Sequence, residues 1–205
     1  TCQYRRYFVK KEYANKIEYD NREQGLYRLN NIEDLKSILQ LKPEKEWNDY
    51  DVILCKPWSV SNVKKMKLIK RGFRSLLKDP SIFFNKDKQS IKLHFDMSHG
   101  HGNLEKAANL LPEKDKKDFM TYVSSKTYLI GHCIFISKNK KLMDRFYSDL
   151  FSWLFECEKI FGFDSNSYDT KRIYSFLTER YMPFWFEKYS KVLTWPWVYF
   201  DISKY

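Results

Sequence analysis

An apolar strand followed at once by a long helical pattern constrains this chain most. Residues 128–137 predict a strand, and Ser137 or Asn139 can cap a helix that runs to about Phe161. Apolar side chains recur along that helix at helical spacing, as expected for core packing: Leu142, Phe146, Leu150, Trp153, Leu154, Cys157 and Phe161. With 205 residues, the chain is long enough for one α/β domain with a core.

The remaining elements follow from apolar periodicity and from residues that cap or break helices. Residues 1–9 predict a strand that ends in Arg5-Arg6, residues 10–30 a surface loop, and residues 51–55 a short buried strand. Further helices are expected at residues 31–39, 103–111, 113–124 and 169–189. Pro183 should kink or end the regular part of the last helix, and residues 191–200 form an extended aromatic tail.

A net charge of +11 favours anionic partners such as a nucleotide or a phospholipid surface. Residues 59–90 combine closely spaced Lys and Arg with apolar residues and indicate a basic amphipathic helix. Two interpretations are open, a surface helix with its apolar side in the core, which is the simpler one, and a membrane contact. Nucleic acid is not an expected partner, because Lys and Arg are spread out and no nucleic-acid-binding signature is visible.

The cysteines and the one acidic pair argue against a metal centre. Cysteines occur at positions 2, 55, 133 and 157 without a CxxC pair, which indicates small buried thiols in a reducing cytoplasm. Asp49-Tyr50-Asp51 matches the DxD pattern with which sugar-nucleotide enzymes hold a divalent metal. However, it precedes its strand, whereas ligands reach the carboxyl end of a strand, so a solvated turn is the simpler interpretation.

Three of the four histidines lie within residues 94–102, where two glycines predict a flexible loop. His94, His99 and His101 stand with Asp96, a set that could bind a metal or position a phosphate or sugar hydroxyl. The fourth, His132, lies inside the predicted strand and is interpreted as a core residue.

Near the start of the chain, Tyr4-Arg5-Arg6-Tyr7 places two guanidinium groups between aromatic rings. Arginine contacts phosphate oxygens in a bidentate way and stays charged at any working pH. By themselves, however, these residues are more typical of a surface pair on an aromatic strand, because isolated Arg-Arg pairs are common.

Several ordered segments resemble a family of glycosyltransferase-like proteins from bacterial capsule and surface-polysaccharide clusters, the capsular polysaccharide synthesis proteins. Its members carry a His-Tyr-Arg-Arg-Tyr-Phe motif, an Asp-Ile-Ile-Leu-Pro-Lys-Pro-like strand, a His loop leading into a helix, an Asn-Met-Phe-Ile-Met strand before a Trp-Leu-Phe helix, and a Glu-Arg-Leu helix. The matching segments here are residues 3–8, 51–57, 99–104, 133–137 with 153–155, and 178–181. Gln3 replaces the motif His and Cys133 the usual Asn.

The resemblance implies a GT-A-like fold and transfer of a sugar from a nucleotide-sugar donor, expected to be a UDP-hexose, to a surface or capsular polysaccharide precursor. Family members also have an upstream segment, so residues 1–205 are expected to be a single domain forming the C-terminal two-thirds of a larger catalytic domain. The expected setting is the cytoplasm, at the inner face of the cell membrane. The alternative is a non-catalytic, membrane-apposed or anion-binding module of a polysaccharide assembly complex.

The resemblance and the residue chemistry together give a candidate site. Positive charge must neutralise the nucleoside diphosphate leaving group, and an inverting transfer needs a carboxylate base on the acceptor hydroxyl. Glu179 is the first candidate base and Asp96 the second. A buried pair with an arginine that fixes the helix is the alternative interpretation of Glu179. The candidate donor-binding residues are Tyr4, Arg5, Arg6, Tyr7, His99, His101 and Arg180. No cofactor is required by this scheme, although Mn²⁺ or Mg²⁺ stays open. The acceptor is a glycan or lipid-linked glycan, with an anionic membrane surface as a further partner.

Overall fold

A computed structural model describes residues 5–19, 25–26, 29, 31–163 and 172–200 of the chain, which form a mixed helical and sheet structure. Its α-helices are α1 (Ile32–Ile38), α2 (Lys65–Arg71), α3 (Phe73–Lys78), α4 (Ile91–His99), α5 (Asn103–Ala108), α6 (Glu113–Ser125), α7 (Lys140–Phe161) and α8 (Ile173–Tyr189). Its strands are β1 (Arg6–Phe8), β2 (Glu18–Tyr19), β3 (Gly25–Leu26), β4 (Val52–Cys55), β5 (Trp58–Ser59), β6 (Tyr128–Leu129), β7 (Phe135–Ile136), β8 (Val192–Trp195) and β9 (Trp197–Tyr199). Short 3-10 helices occur at Lys11–Lys16, Lys45–Asp49, Pro80–Phe83 and Lys86–Lys88.

The small central sheet has the order β7-β4-β8, with β4 antiparallel to β7 and parallel to β8. All residues of β4 are buried, as a near-continuous apolar run covered on both faces requires. Cys55 pairs with Trp195 at the last position of the β4–β8 register. The carboxyl ends of the two parallel strands therefore meet at one edge of the sheet.

Strand β9 follows β8 after Pro196 and pairs antiparallel with β1, which brings the two ends of the described chain together. Arg6 lies opposite Tyr199, and Phe8 lies opposite Trp197. Because side chains alternate along a strand, these four point to one face, toward the main core, while Tyr7 points to the other. Tyr7 packs against a second apolar cluster, whose buried members include Val9, Leu35 and Ile38.

The main core lies between the central sheet and helices α4 to α8. The predicted long helix is confirmed, since Asn139 accepts a hydrogen bond from the Leu142 amide at 3.1 Å and Gly162 ends the helix with φ of +59°. Trp153 anchors α7 through Nε1, which donates to the Ala107 carbonyl at 2.8 Å. The predictions for α1, β4 and α6 are also confirmed, as is the extended tail. Within the described residues, no helix combines the length and apolar character needed to cross a membrane.

The single strand predicted at residues 128–137 is wrong. It is two short strands in different sheets, β6 paired with β5 and β7 paired with β4. The chain turns between them at Gly131, where a Cβ atom would lie 2.9 Å from Nε1 of Trp58. The buried His132 therefore lies in a bend and not in a strand, although its core location is confirmed.

Three other local predictions are corrected. Residues 94–99 are the end of helix α4, capped by Ser90, and only the turn at residues 100–102 is a loop. Residues 10–30 include a 3-10 helix and two short strands, and Ile17 and Leu29 are buried there. Helix α8 does not end at Pro183 but continues to Tyr189, because burial of this part of the helix outweighs the one backbone hydrogen bond that proline cannot make.

The basic segment at residues 59–90 also differs from its prediction. Gly72 separates α2 from α3. A larger residue would not fit at this position, because a Cβ atom there would lie 2.8 Å from the Leu68 carbonyl oxygen. Leu68 is buried against α4 with Leu93 and Met97. Several of its large apolar residues are nevertheless exposed: Met66, Ile69, Phe73, Leu77 and Phe84.

Candidate functional site

Lys56 marks the edge of the sheet where β4 and β8 end, which is where ligands bind in open α/β sheets. Its amide donates to the Trp195 carbonyl at 2.8 Å, and its own carbonyl accepts from Nε1 of Trp197 at 2.9 Å. Its ammonium nitrogen lies 5.4 Å from the centre of the Tyr19 ring, a cation–π distance. The backbone and an aromatic face thus fix one cation at this edge.

Arg5 and Arg6 lie on the neighbouring β1–β9 pair and converge on Tyr199. Nη1 of Arg5 donates to the Tyr199 hydroxyl at 3.4 Å, and the Arg6 guanidinium lies 5.6 Å from the centre of the same ring. Arg5 has a positive φ of 65°, so the predicted strand begins at Arg6 and does not end there. Tyr199 and Trp197 are two residues apart on β9, about 7 Å along the strand and on one face. Tyr199, which both arginines contact, therefore lies next along this face of β9 to Trp197, which donates to the Lys56 carbonyl.

The flanking tyrosines of the arginine motif do not join this group in the same way. Tyr4 lies outside the described residues. Tyr7 is described, but the alternation of β1 turns it to the opposite face, into the second apolar cluster. The sequence therefore located the two arginines, whereas Tyr19 and Tyr199 supply the rings beside the cations.

Arg180 is the buried centre of a second group, with only 1% of its area exposed. Its Nη1 donates to Oε2 of Glu179 at 2.9 Å and to the Phe176 carbonyl at 3.2 Å, and Nη2 lies 3.2 Å from Nδ1 of His94. A buried guanidinium is tolerated only when its charge is paired and hydrogen-bonded. Glu179 pairs the charge of Arg180 on one side, and His94 provides a hydrogen-bond partner on the other.

Burial, and then the charge of Arg180, hold the pKa of His94 well below its ordinary value, so the ring is neutral. Because a guanidinium only donates, Nδ1 of His94 accepts and Nε2 carries the proton. The ring also packs edge-on against Trp58, with 5.5 Å between ring centres. Trp58 and His94 line a cavity of about 180 Å³ together with Lys64 and Lys67, which adds two cations beside the Arg180 group.

His132 and Cys133 connect the two groups. The ring of His132 lies 4.5 Å from that of Trp197, and its carbonyl accepts from the thiol of Cys55 at 3.7 Å. Burial raises the pKa of the Cys133 thiol to about 12, and the nearby Glu179 carboxylate adds to the effect. The Glu179 carboxylate is therefore near the Cys133 thiol, which directly follows His132 in the chain. Burial likewise raises the pKa of Cys55 to about 12, so these thiols stay protonated, as predicted for buried cysteines.

Asp96 and His101 form a third group with the turn after α4. Oδ1 of Asp96 accepts from the Gly102 amide at 3.1 Å, and Oδ2 lies 3.1 Å from the Lys92 ammonium and 3.4 Å from Nδ1 of His101. Burial opposes the charge of Lys92, but Asp96 and Glu105 outweigh it and raise its pKa. The Asp96 carboxylate thus holds a turn in which Gly100 and Gly102 have positive φ, and its described contacts are those of a positioning residue.

His99 lies between aromatic rings rather than beside the arginines. Its ring stacks on Phe176 at 3.7 Å between centres and meets the edge of Phe95 at 4.9 Å. Burial, and then the charge of Arg180, lower its pKa to about 3. His99 is therefore neutral and adds no positive charge for a phosphate.

In the part of the chain that the structure describes, no three His, Cys, Asp or Glu side chains are grouped as metal ligands. Asp51 of the DxD pattern accepts from the Lys191 amide at 2.8 Å and so fixes the start of the β4–β8 pair, at the edge opposite Lys56.

Sequence reasoning missed Lys56, Tyr19 and Tyr199 as members of the site. Lys56 could have been found from its position directly after the buried strand, at the end where ligands bind. The two tyrosines depend on pairings between distant segments that no local pattern encodes.

Comparisons with known proteins identify the family. No curated protein matches the chain, and no solved structure does. The model of one family, described as a domain of unknown function (DUF4422), matches residues 1–191. Because that match covers nearly the whole chain, the protein belongs to the DUF4422 family.

Proposed function

We propose that this protein is a glycosyltransferase that transfers a sugar from a nucleotide-sugar donor to a surface or capsular polysaccharide precursor. The observation that carries the proposal is the placement of three cations beside aromatic rings: Arg5 and Arg6 against Tyr199 of β9, and Lys56 against Tyr19 at the carboxyl ends of β4 and β8. A GT-A-like arrangement, with a UDP-hexose as donor, is part of the same proposal and follows from the motif resemblance.

The cations suit the leaving group. A nucleoside diphosphate develops negative charge as the bond to the sugar breaks, and preorganised cations stabilise that charge without moving. Arg5 and Arg6 are held by Tyr199, and Lys56 is held by its backbone contacts to β8 and β9. In this scheme the side chains themselves neutralise the diphosphate, and no step passes through a metal.

Glu179 is the proposed base. An acceptor hydroxyl oxygen forms the new bond to the anomeric carbon, the bond from that carbon to the diphosphate breaks, and the hydroxyl proton passes to the Glu179 carboxylate. Glu179 retains 14% exposure of its side chain, and Arg180 orients it through Oε2. The buried Asp96 is the weaker candidate, because its carboxylate is engaged by Lys92 and the Gly102 amide.

Donor binding tests this directly. Isothermal titration calorimetry with a panel of UDP-hexoses, with Mn²⁺ or with EDTA, should show binding that the Arg5→Ala/Arg6→Ala double variant loses. Arg71→Ala/Arg74→Ala is the matched control, since both residues are exposed on α2 and α3. Full affinity in the Arg5/Arg6 variant would refute the diphosphate role. Failure of the whole panel to bind would favour the non-catalytic, membrane-apposed alternative.

A further inference from the structure

Residues 63–88, the basic apolar segment, present large apolar side chains to solvent. Five of them lie between residues 66 and 84, with the following exposed fractions: Met66 60%, Ile69 46%, Phe73 56%, Leu77 67% and Phe84 81%. A water-soluble surface rarely concentrates so many large apolar residues, and such patches mark interaction sites. We infer that the basic apolar segment docks the protein on an anionic lipid bilayer.

The geometry of the two helices supports insertion into a bilayer surface. Leu68 turns α2 toward α4, so Met66 and Ile69, three residues apart, lie together on its outer side. Phe73 and Leu77 are four residues apart and share one face of α3. The ammonium nitrogen of Lys65 lies 5.1 Å from the centre of the Phe83 ring, and the rings of Phe83 and Phe84 pack edge to face. The Lys65 side chain, at the start of α2, therefore reaches the same place as Phe84. The exposed apolar residues thus belong to one packed unit.

Charge identifies the partner as anionic. The basic apolar segment has nine Lys or Arg and two Asp, a net charge of +7 out of the chain's +11. Asp79 is bound to its own segment, through the Ser81 amide at 3.1 Å and Lys88 at 2.7 Å. Long basic side chains reach the headgroups while apolar neighbours enter the acyl region, which is the pattern of interfacial helices. Nucleic acid would use the cations but would leave Met66, Ile69 and Leu77 in water.

The test is flotation of the full chain with phosphatidylcholine vesicles, either pure or with one third phosphatidylglycerol. We expect binding to the anionic vesicles alone, weakened by salt. Lys70→Gln/Arg71→Gln/Arg74→Gln should lower the partition coefficient roughly 100-fold, at about fivefold per charge. Phe73→Ser/Leu77→Ser should lower it on the order of tenfold per residue. Since no donor is present, the result is independent of the proposed glycosyl transfer.

Matched controls distinguish docking through the basic apolar segment from nonspecific adsorption to the vesicles. Phe151→Ser/Phe155→Ser removes two exposed aromatic residues from α7, and Lys106→Gln/Lys117→Gln/Lys141→Gln removes three exposed charges elsewhere. Both controls should float like the unmodified protein. The inference is overturned if the controls lose as much binding as the segment variants, or if Phe73→Ser/Leu77→Ser leaves it unchanged. It is also overturned if the protein does not float, or if that apolar variant instead converts a dimer to a monomer in size-exclusion chromatography, which would assign the surface to a second copy.

Discussion

Nη2 of Arg180 lies 3.2 Å from Nδ1 of His94, although 86 residues separate them in the chain. The contact joins α8 to α4 inside the main core. With Glu179 on the other side of the guanidinium, it makes Arg180 both a structural element and the residue that orients the proposed base. The following variants separate these roles.

Arg180→Met should be strongly destabilising. The variant keeps much of the side-chain volume but leaves the Glu179 carboxylate without its guanidinium in a nearly buried position. Breaking one partner of a buried pair costs about 3–5 kcal/mol of unfolding free energy. Urea denaturation measures the loss, with the exposed Arg74→Met as control. A change below about 1 kcal/mol, the range of surface ion pairs, would show that the pair contributes little.

Glu179→Gln should separate catalysis from folding. A glutamine oxygen can still accept from Arg180, so the melting temperature and donor affinity should change little. It cannot take the acceptor proton, so transfer should fall about 100-fold or more. Radiolabelled sugar transfer and calorimetry on one preparation measure both, and the exposed Glu113→Gln serves as control. Loss of folding in Glu179→Gln would instead assign Glu179 a purely structural role.

The sequence predicted those secondary-structure elements whose start and end are encoded by nearby residues, and it missed features that depend on contacts between distant segments. Helix α7 was predicted because its cap at Asn139 and its stop at Gly162 are encoded within the helix itself. Helix α4 was missed because Gly100 and Gly102 suggested a loop, while Ile91 and Phe95 form its core face. The parallel pairing of β4 with β8 was also beyond local reasoning, since it joins residues 52–55 to residues 192–195.

In the candidate site, too, the features that the sequence predicted are local and the features that it missed depend on long-range contacts. The charges of Arg5 and Arg6 were predicted from a motif, but their position beside Tyr199 depends on the β1–β9 register. The network around Arg180 likewise requires α8 to pack on α4, which amphipathic patterns cannot specify. Residue type and local motif predicted several members of the site. The pairing of distant segments determines which of those residues are in contact.

Gly131→Ala should destabilise the turn between β6 and β7. The added methyl group would lie 2.9 Å from Nε1 of Trp58 and 3.1 Å from Cδ2 of Leu129, both in the buried core. Overpacking of this kind costs about 1–3 kcal/mol. Urea denaturation should show a lower midpoint with an unchanged slope. Gly131→Ala/Leu129→Ala relieves one of the two contacts, so its cost should be smaller than the sum of the single changes. If the two changes in unfolding free energy were strictly additive, the turn would be able to shift and relieve the contact, and the contact with Leu129 would not be the cause of the destabilisation.

Acid should weaken the protein through two of its buried histidines, His94 and His99. His94 and His99 stay neutral in the folded chain, with the pKa of His99 near 3, whereas in the unfolded chain both take up protons around the ordinary value of 6.5. Their contribution to stability is therefore complete above pH 6.5 and falls as the pH drops below that value, by about 1.4 kcal/mol per pH unit for each histidine, and for His99 the fall continues to about pH 3. Arg180 and Lys67 oppose protonation of both rings.

His99→Phe tests the assignment, because it keeps a ring stacked on Phe176 but cannot be protonated. Urea denaturation between pH 7 and pH 4.5 should show a shallower loss of stability than in the unmodified protein, by about 1.4 kcal/mol per pH unit. Phe176→Leu is the control: it weakens the stack and lowers stability at every pH, yet keeps the steep pH dependence. Equal slopes in the His99→Phe variant and the unmodified protein would show that His99 is protonated in the folded state, contrary to its position between Phe95 and Phe176.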